Sequence, residues 1–317
     1  MLGRRKELPV YIFTGFLESG KTSFIKTTLT DGQFKDGKKT SYLLCEEGLE
    51  EITEAELKDN RFRLHRIEEE GEVTYDRFTK IDLEDKPDRV VIEYNGTWDI
   101  NKAIEAFPEH WMLAEGIATV NAATYESYLA NMKQMMTRQF TYADLILFNR
   151  CKNEMNLPSF KRTAKAVNKR AQVVFEMEDG SINNEVRQEL PYDIHGDLIR
   201  VEDDDYGLWY LDCFENVQDY AGKKICFKAQ VMRPKRGPAD VFVPGRFAMT
   251  CCAADIQFVG YPCKWDNARK LKEKSYVMVT ARIGKAMNPQ YGQETPVLMA
   301  ESVEAADPPD DEVVYFQ

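Results

Sequence analysis

Histidine is scarce. Only three (His65, His110 and His195) occur among 317 residues, and no two stand at a spacing that suits one metal ion. Each is read as a surface or packing residue, and a histidine-built metal centre is not expected. Seven cysteines, an odd number, argue against a disulfide framework and for buried small apolar residues or thiols with a task. No apolar run reaches the ~18 residues of a membrane-spanning helix, and MLGRRKELPV lacks the apolar core of a signal peptide. The chain is therefore expected to stay in the cytoplasm without entering a membrane. Basic residues are in deficit, 42 Lys and Arg against 53 Asp and Glu, for a net charge of −11. That balance excludes general nucleic-acid binding, which needs a basic surface. The one short basic run, Arg233 to Arg236, lies among Pro and Gly and reads as a solvated loop.

What is present divides into two halves. Val10 to Phe13, Val90 to Ile92, Leu145 to Phe148 and Val173 to Phe175 are continuously apolar, as parallel strands covered on both faces must be. Ser41 to Cys45 and Ile117 to Val120 fit between them. Helical stripes intervene, one at Phe24, Ile25, Thr28 and Leu29 and another at Tyr125, Tyr128, Leu129 and Met132. Strands separated by helices predict an α/β fold with a mostly parallel sheet over about residues 1–190. The polar stretch Glu176 to Asp197 reads as the domain end and linker. Beyond it, short runs at Trp209 to Leu211, Ile225 to Met232, Val241 to Val243, Phe247 to Met249, Tyr276 to Ile283 and Val297 to Met299 are separated by Gly and Pro turns, including one at Pro244-Gly245. They predict a small all-β barrel over 191–317, with one helix around Asn267 to Lys274 and a last edge strand from Val313 to Gln317.

Gly15-Phe16-Leu17-Glu18-Ser19-Gly20-Lys21-Thr22 matches the phosphate-binding loop G-x-x-x-x-G-K-[ST] at every position. Such an octapeptide arises by chance in about one chain of this length in a hundred. A buried strand precedes it and an amphipathic helix follows. Glycines let the amides of Glu18, Ser19, Gly20 and Ser23 close on phosphates at a helix N-terminus. Lys21 neutralises the outer phosphates, and Thr22 offers its hydroxyl to Mg²⁺. Glu93 closes the Val90–Ile92 strand and suits the Mg²⁺ side. Gly96, three residues on, completes a Glu-x-x-Gly turn that senses the γ-phosphate. Glu46, after the Ser41–Cys45 strand, is the candidate for orienting the attacking water, within an acidic run through Glu47, Glu50, Glu51, Glu54 and Glu56 that also fits a solvated face.

The fourth buried strand ends in Asn149-Arg150-Cys151-Lys152. Many GTPases carry Asn-Lys-x-Asp here, and the carboxylate accepts from guanine. Lys152 stands in the Asp position and cannot accept. Asn149 and the stem of Arg150 still shape a base pocket, and GTP and ATP both stay open.

PVYIFTGFLESGKTSFI resembles the opening of the CobW/HypB/UreG GTPases, above all the CobW-like branch. Cys45-Glu46-Glu47-Gly48, Glu93-Tyr94-Asn95-Gly96 and Val167-Asn168 resemble further motifs of that branch, and the likeness covers about residues 8 to 176. It implies a GTP-hydrolysing switch, dimerising on nucleotide, that allocates zinc, cobalt or nickel to a client. The branch's internal Cys-x-Cys-Cys is absent, since Arg61 to Asp76 holds no cysteine. Gly245-Arg246-Phe247 and Cys251-Cys252-Ala253-Ala254-Asp255 resemble a small OB-like domain of bacterial proteins paired with permeases. Cys251, Cys252, Asp255 and Cys263 could together supply a tetrahedral Zn²⁺ site, although adjacent strand residues face opposite ways and free cysteines are usually buried. Two functions thus compete: a nucleotide-hydrolysing switch, and a nucleotide-binding adaptor whose β domain recruits a partner such as a transporter.

Overall fold

The computed structural model describes residues 6–30, 37–59, 61–183, 185–234, 237–251 and 253–316. It divides into two compact units, residues 1–157 with 170–186, and 158–169 with 187–317.

The first unit runs β1 (Leu8–Thr14), α1 (Lys21–Thr30), β2 (Thr40–Leu44), α2 (Glu54–Asp59), β3 (Phe62–Arg66), α3 (Tyr75–Asp85), β4 (Arg89–Glu93), α4 (Ile100–Glu105), β5 (Trp111–Asn121), α5 (Ala122–Arg138) and β6 (Leu145–Cys151). After α6 (Leu157–Val167), counted with the second unit, come β7 (Gln172–Met177) and β8 (Ile182–Asn183). The sheet order is β3-β2-β4-β1-β5-β6-β7-β8, parallel throughout except for β8. Its two faces bury different residues because alternate side chains of a strand point opposite ways. Val10, Ile12, Val90 and Ile92 pack with Phe78 and Ile81 of α3 and Ala103 of α4. Phe13, Val91 and Ile117 pack with Ile25 of α1 and Leu57 of α2. Asn121 ends β5 and caps α5 by accepting the Ala123 N–H at 3.0 Å. The four strands expected from continuous apolar runs are present, as are the two candidates fitted between them. The edge strand β3 went unread because Arg63, His65 and Arg66 break its pattern, as charges on a sheet edge do.

The second unit contains β9 (Ile199–Val201), α7 (Tyr206–Glu215), α8 (Val217–Tyr220), β10 (Lys224–Met232), β11 (Val241–Met249), β12 (Gln257–Gly260), β13 (Cys263–Lys264), β14 (Tyr276–Asn288), β15 (Gln293–Ala305) and β16 (Val313–Tyr315). Pairings β11–β13, β13–β15, β15–β14, β14–β10 and β10–β11 close a ring of five strands. The core holds Ile225, Phe227, Val279, Ile283 and Leu298, with Trp209 of α7 fully buried among them.

Three expectations need correction here. Trp209 to Leu211 is helix, not strand: Tyr206, Trp209, Tyr210, Cys213 and Phe214 recur at helical spacing and are all buried. The stretch from Asn267 to Lys274 is a single 3-10 turn at Ala268–Lys270. Pro244-Gly245 does not interrupt β11, which runs straight through. Gly245 faces Gly260 of β12, and a Cβ on Gly245 would lie 2.4 Å from the Val259 carbonyl oxygen. The glycine marks close strand crossing, not a turn.

Candidate nucleotide-binding site

The loop 15–20 joins β1 to α1 at the C-terminal end of the sheet, where open parallel sheets bind ligands. Gly15 and Gly20 have φ of +149° and +94°, and Glu18 is left-handed at +61°. A Cβ on Gly15 would lie 2.3 Å from Ser19 Oγ and 2.5 Å from the Thr119 carbonyl oxygen, so β5 presses directly on the loop. Ser19 and Thr119 hydroxyls are hydrogen-bonded at 2.8 Å.

Lys21 is 4% exposed and donates to the carbonyls of Gly15 (2.7 Å) and Phe16 (3.1 Å) and to Glu46 Oε2 (2.6 Å). The phosphate-site ammonium is thus held by the acidic residue that follows β2. Thr22 Oγ1 donates to Glu93 Oε1 at 2.7 Å, and the Tyr42 phenol donates to Glu93 Oε2. Burial pushes the Glu93 carboxyl above the ordinary carboxylate range, with the bonds from Tyr42 and Thr22 working against that rise. Ser23 donates to Glu50, and Glu18 accepts the Leu49 N–H at 3.0 Å. Glu18, Glu46, Glu50 and Glu93 all line one cavity of about 60 Å³ with Gly20, Lys21 and Thr22.

On the other side, Asn149 Nδ2 donates to the Ser19 carbonyl at 2.8 Å, and Arg150 donates to the Glu18 carbonyl at 2.9 Å. Lys152 forms an ion pair with Glu178 at 3.2 Å. Gly96 packs so closely that a Cβ would lie 2.2 Å from the Gly15 carbonyl oxygen. The structure therefore gathers Gly15, Glu18, Ser19, Gly20, Lys21, Thr22, Ser23, Glu46, Glu93, Gly96, Asn149 and Arg150 around one loop. Sequence reading missed Tyr42, Thr119 and Gln139. Gln139, 5% exposed, donates to the Gly96 carbonyl at 3.2 Å. Only the lone polar residue in the run Ile117-Ala118-Thr119-Val120 gave any signal.

The suggested zinc set is not assembled among the described residues. Cys263 is buried in the core of the second unit, its thiol pushed up to about 12 by burial, and lies against the Lys264 carbonyl. Asp255 spends its two oxygens on the N–H groups of Thr250 (3.0 Å) and Cys251 (2.6 Å). Cys252 lies outside the described residues. Among those described, no group of three or more His, Cys, Asp or Glu could hold a metal ion, and no helix is long and apolar enough to cross a membrane.

A complete phosphate loop between the first strand and first helix of a mostly parallel sheet defines a P-loop α/β protein, followed by a β-rich unit. Residues 9–175 match the model of the CobW/HypB/UreG nucleotide-binding domain, and residues 176–316 that of the DUF1980 C-terminal domain. The first match spans more than half of the chain, which belongs to the CobW/HypB/UreG family. Similar solved structures include the hydrogenase maturation factor HypB from Archaeoglobus fulgidus, at 18% identity over 53% of this chain and 80% of that one, with a TM-score of 0.37. Another is the Zn(II)-bound YjiA GTPase from E. coli, at 17% identity over 72% of this chain and 74% of that one, with a TM-score of 0.42. No curated protein matches.

Proposed function

We propose that this chain is a Mg²⁺-dependent GTP-hydrolysing switch. The observation that carries the reading is the contact of Thr22 Oγ1 with Glu93 Oε1 at 2.7 Å, one residue after the buried Lys21 of a complete phosphate loop. A hydroxyl and a carboxylate side by side are oxygen donors of the kind a hard divalent cation takes. Four glutamates on the cavity wall would repel a bare triphosphate, so the donor set fits a substrate that arrives with Mg²⁺. Thr22 and Glu93 would hold that ion, which would supply charge neutralisation to the phosphates.

The protein's own groups do the rest. Loop amides at the N-terminus of α1 donate to the phosphate oxygens. Lys21 exchanges Glu46 for phosphate, and the freed Glu46 orients the water whose oxygen attacks the γ-phosphorus as the bridging oxygen leaves. Glu46 and Glu50 hold Lys21 and Ser23, so both glutamates withdraw when phosphate oxygens take those donors. That movement is the switch. Family membership, not a ligand set in this chain, supports metal allocation, a metal-requiring client or transporter, and a nucleotide-dependent homodimer.

The test is phosphate release from GTP and ATP, with and without Mg²⁺, for the wild type and Lys21→Ala. Mg²⁺-dependent release above the variant is expected. Nucleotide binding with no release above that control would favour the adaptor reading and sink the enzyme.

A further inference from the structure

The position that should read guanine is occupied by Lys152, whose charge is spent on Glu178. Beside it, along β6 and β7 next to α1, lies a cavity of about 480 Å³, within the usual size of small-molecule sites. It adjoins Gly20 and Ser23 of the phosphate loop, and its wall includes Asn149, Arg150, Glu176 and Glu178. A nucleotide anchored by its phosphates on Gly20 to Ser23 has this cavity within reach of its base.

Strand alternation decides which side chains face in. Val174 and Glu176 line the cavity, whereas Phe175 points to the opposite face and stacks on Phe148 with ring centroids 5.2 Å apart. The pairing of β6 with β7 shifts between Phe148 and Cys151, which sets Glu176 beside Asn149 and Arg150. Glu176 is half-buried, and among the described residues its carboxylate has neither a hydrogen bond nor an ion pair. Burial, and after it the neighbouring Glu176, pushes the Cys151 thiol up to about 11. A carboxylate in that place can accept from N–H groups of a ligand in the cavity.

Resting on the reading of the phosphate loop above, we propose that Glu176 is the specificity-determining residue that accepts hydrogen bonds from the base of a guanine nucleotide, from a different strand than the usual Asp. Guanine offers an N–H at N1 and an amino group at C2, two donors that one carboxylate accepts together. Adenine presents a bare acceptor at N1, which a carboxylate repels. Glu178 already shares an exposed ion pair with Lys152, and Glu178→Gln tests whether it takes the role instead.

Calorimetry of the full chain with Mg²⁺ and GDP, ADP or XDP tests this, using wild type, Glu176→Gln and Glu178→Gln. The wild type is expected to bind GDP at least about tenfold more tightly than ADP. Glu176→Gln should lose about 10- to 100-fold in GDP affinity, hold ADP within about twofold, and gain XDP, whose C2 carbonyl accepts from the new amide. A variant that merely unfolds would lose all three ligands, and ADP binding by Glu176→Gln controls for that. Glu178→Gln should keep the GDP preference. Equal binding of GDP and ADP by the wild type overturns the proposal while leaving the phosphate site intact. So does tighter ADP binding, which would put Asn149 Oδ1, buried and without a hydrogen bond, on the adenine amino group. Loss of the preference in Glu178→Gln, and not in Glu176→Gln, also overturns it. Failure of every diphosphate to bind sinks the phosphate site as well.

Discussion

Glu46→Ala should destabilise the nucleotide-free protein and tighten its grip on GDP by the same free energy. Lys21 and Glu46 side chains are 4% and 12% exposed and meet at 2.6 Å, so the pair is largely withdrawn from water. Breaking a buried pair by removing one partner costs about 3–5 kcal/mol. Here Lys21 keeps the carbonyls of Gly15 and Phe16 as acceptors, which reduces the loss to about 2 kcal/mol. In the complex the phosphates take over the ammonium, so the wild type must first give up the same pair. A difference of about 2 kcal/mol corresponds to about 30-fold in Kd and, for a unit of this size, to about 4–8 °C in Tm. Thermal melts without nucleotide and calorimetry with Mg²⁺-GDP measure the two halves independently. Hydrolysis should fall in the same variant, since Glu46 is the group proposed to orient water. Weakened GDP binding together with an unchanged nucleotide-free Tm would refute the idea that Glu46 competes with phosphate for Lys21.

Gly96→Ala should cost about 2–3 kcal/mol by overpacking and weaken nucleotide binding, because the atoms in the way are the backbone of Gly15 and Phe16 and no side chain can yield; melts and GDP titration read both. In the second unit, burial pushes the Lys169 amine down to about 7, although its Nζ lies 3.8 Å from the centroid of the Tyr210 ring. Unfolded lysine titrates at about 10.4, so between about pH 7 and pH 10 the unfolded chain binds the extra proton and this lysine's contribution to stability climbs with pH. Against it work the buried thiols of Cys151 and Cys263, which are pushed up and subtract stability above about pH 8.5. Lys169→Met should flatten that climb by at most about 1.4 kcal/mol per pH unit, leaving the contribution of Lys165, also pushed down by burial; urea midpoints at pH 7, 8.5 and 10 check it. Arg246→Met should lose about 2–3 kcal/mol, because Arg246 is 2% exposed and binds Asp203 at 3.1 Å. The exposed pair Lys264–Asp240 at 3.6 Å should be nearly silent in Lys264→Met, and parallel urea melts compare the two.

The phosphate loop was legible because its chemistry is contiguous: eight neighbouring residues make the cradle, and buried strands announce themselves as unbroken apolar runs. Tyr42, Thr119 and Gln139 were not, because each acts on a residue far along the chain. Tyr42 reaches Glu93, Thr119 reaches Ser19, and Gln139 reaches Gly96. Sheet order alone makes those meetings, and no local pattern encodes it. The second unit was read less well for a different reason. Tyr206 to Phe214 is buried nearly all round, so its helical period shows only when the whole segment is compared with a strand's alternation, and three adjacent apolar residues looked like a strand.

The two motif-rich segments differ in how their polar groups are satisfied, and that difference separates scaffold from site. In the second unit Gly245, Arg246 and Asp255 each have a fixed structural partner. Gly245 admits the crossing backbone of β12, Arg246 binds Asp203 and the Asp311 carbonyl, and Asp255 closes the turn at Thr250 and Cys251. Removing any of these contacts costs folding free energy and offers no ligand in exchange. In the first unit the motif residues satisfy one another across the cavity: Lys21 with Glu46, Thr22 with Glu93, Ser23 with Glu50. Such side-chain pairs are interchangeable with phosphate oxygens and a divalent cation, because a ligand of matching charge can replace either member without leaving a buried group orphaned. Along the wall of the base cavity, Glu176 is the carboxylate with no hydrogen bond or ion pair among the described residues, open to a partner from outside.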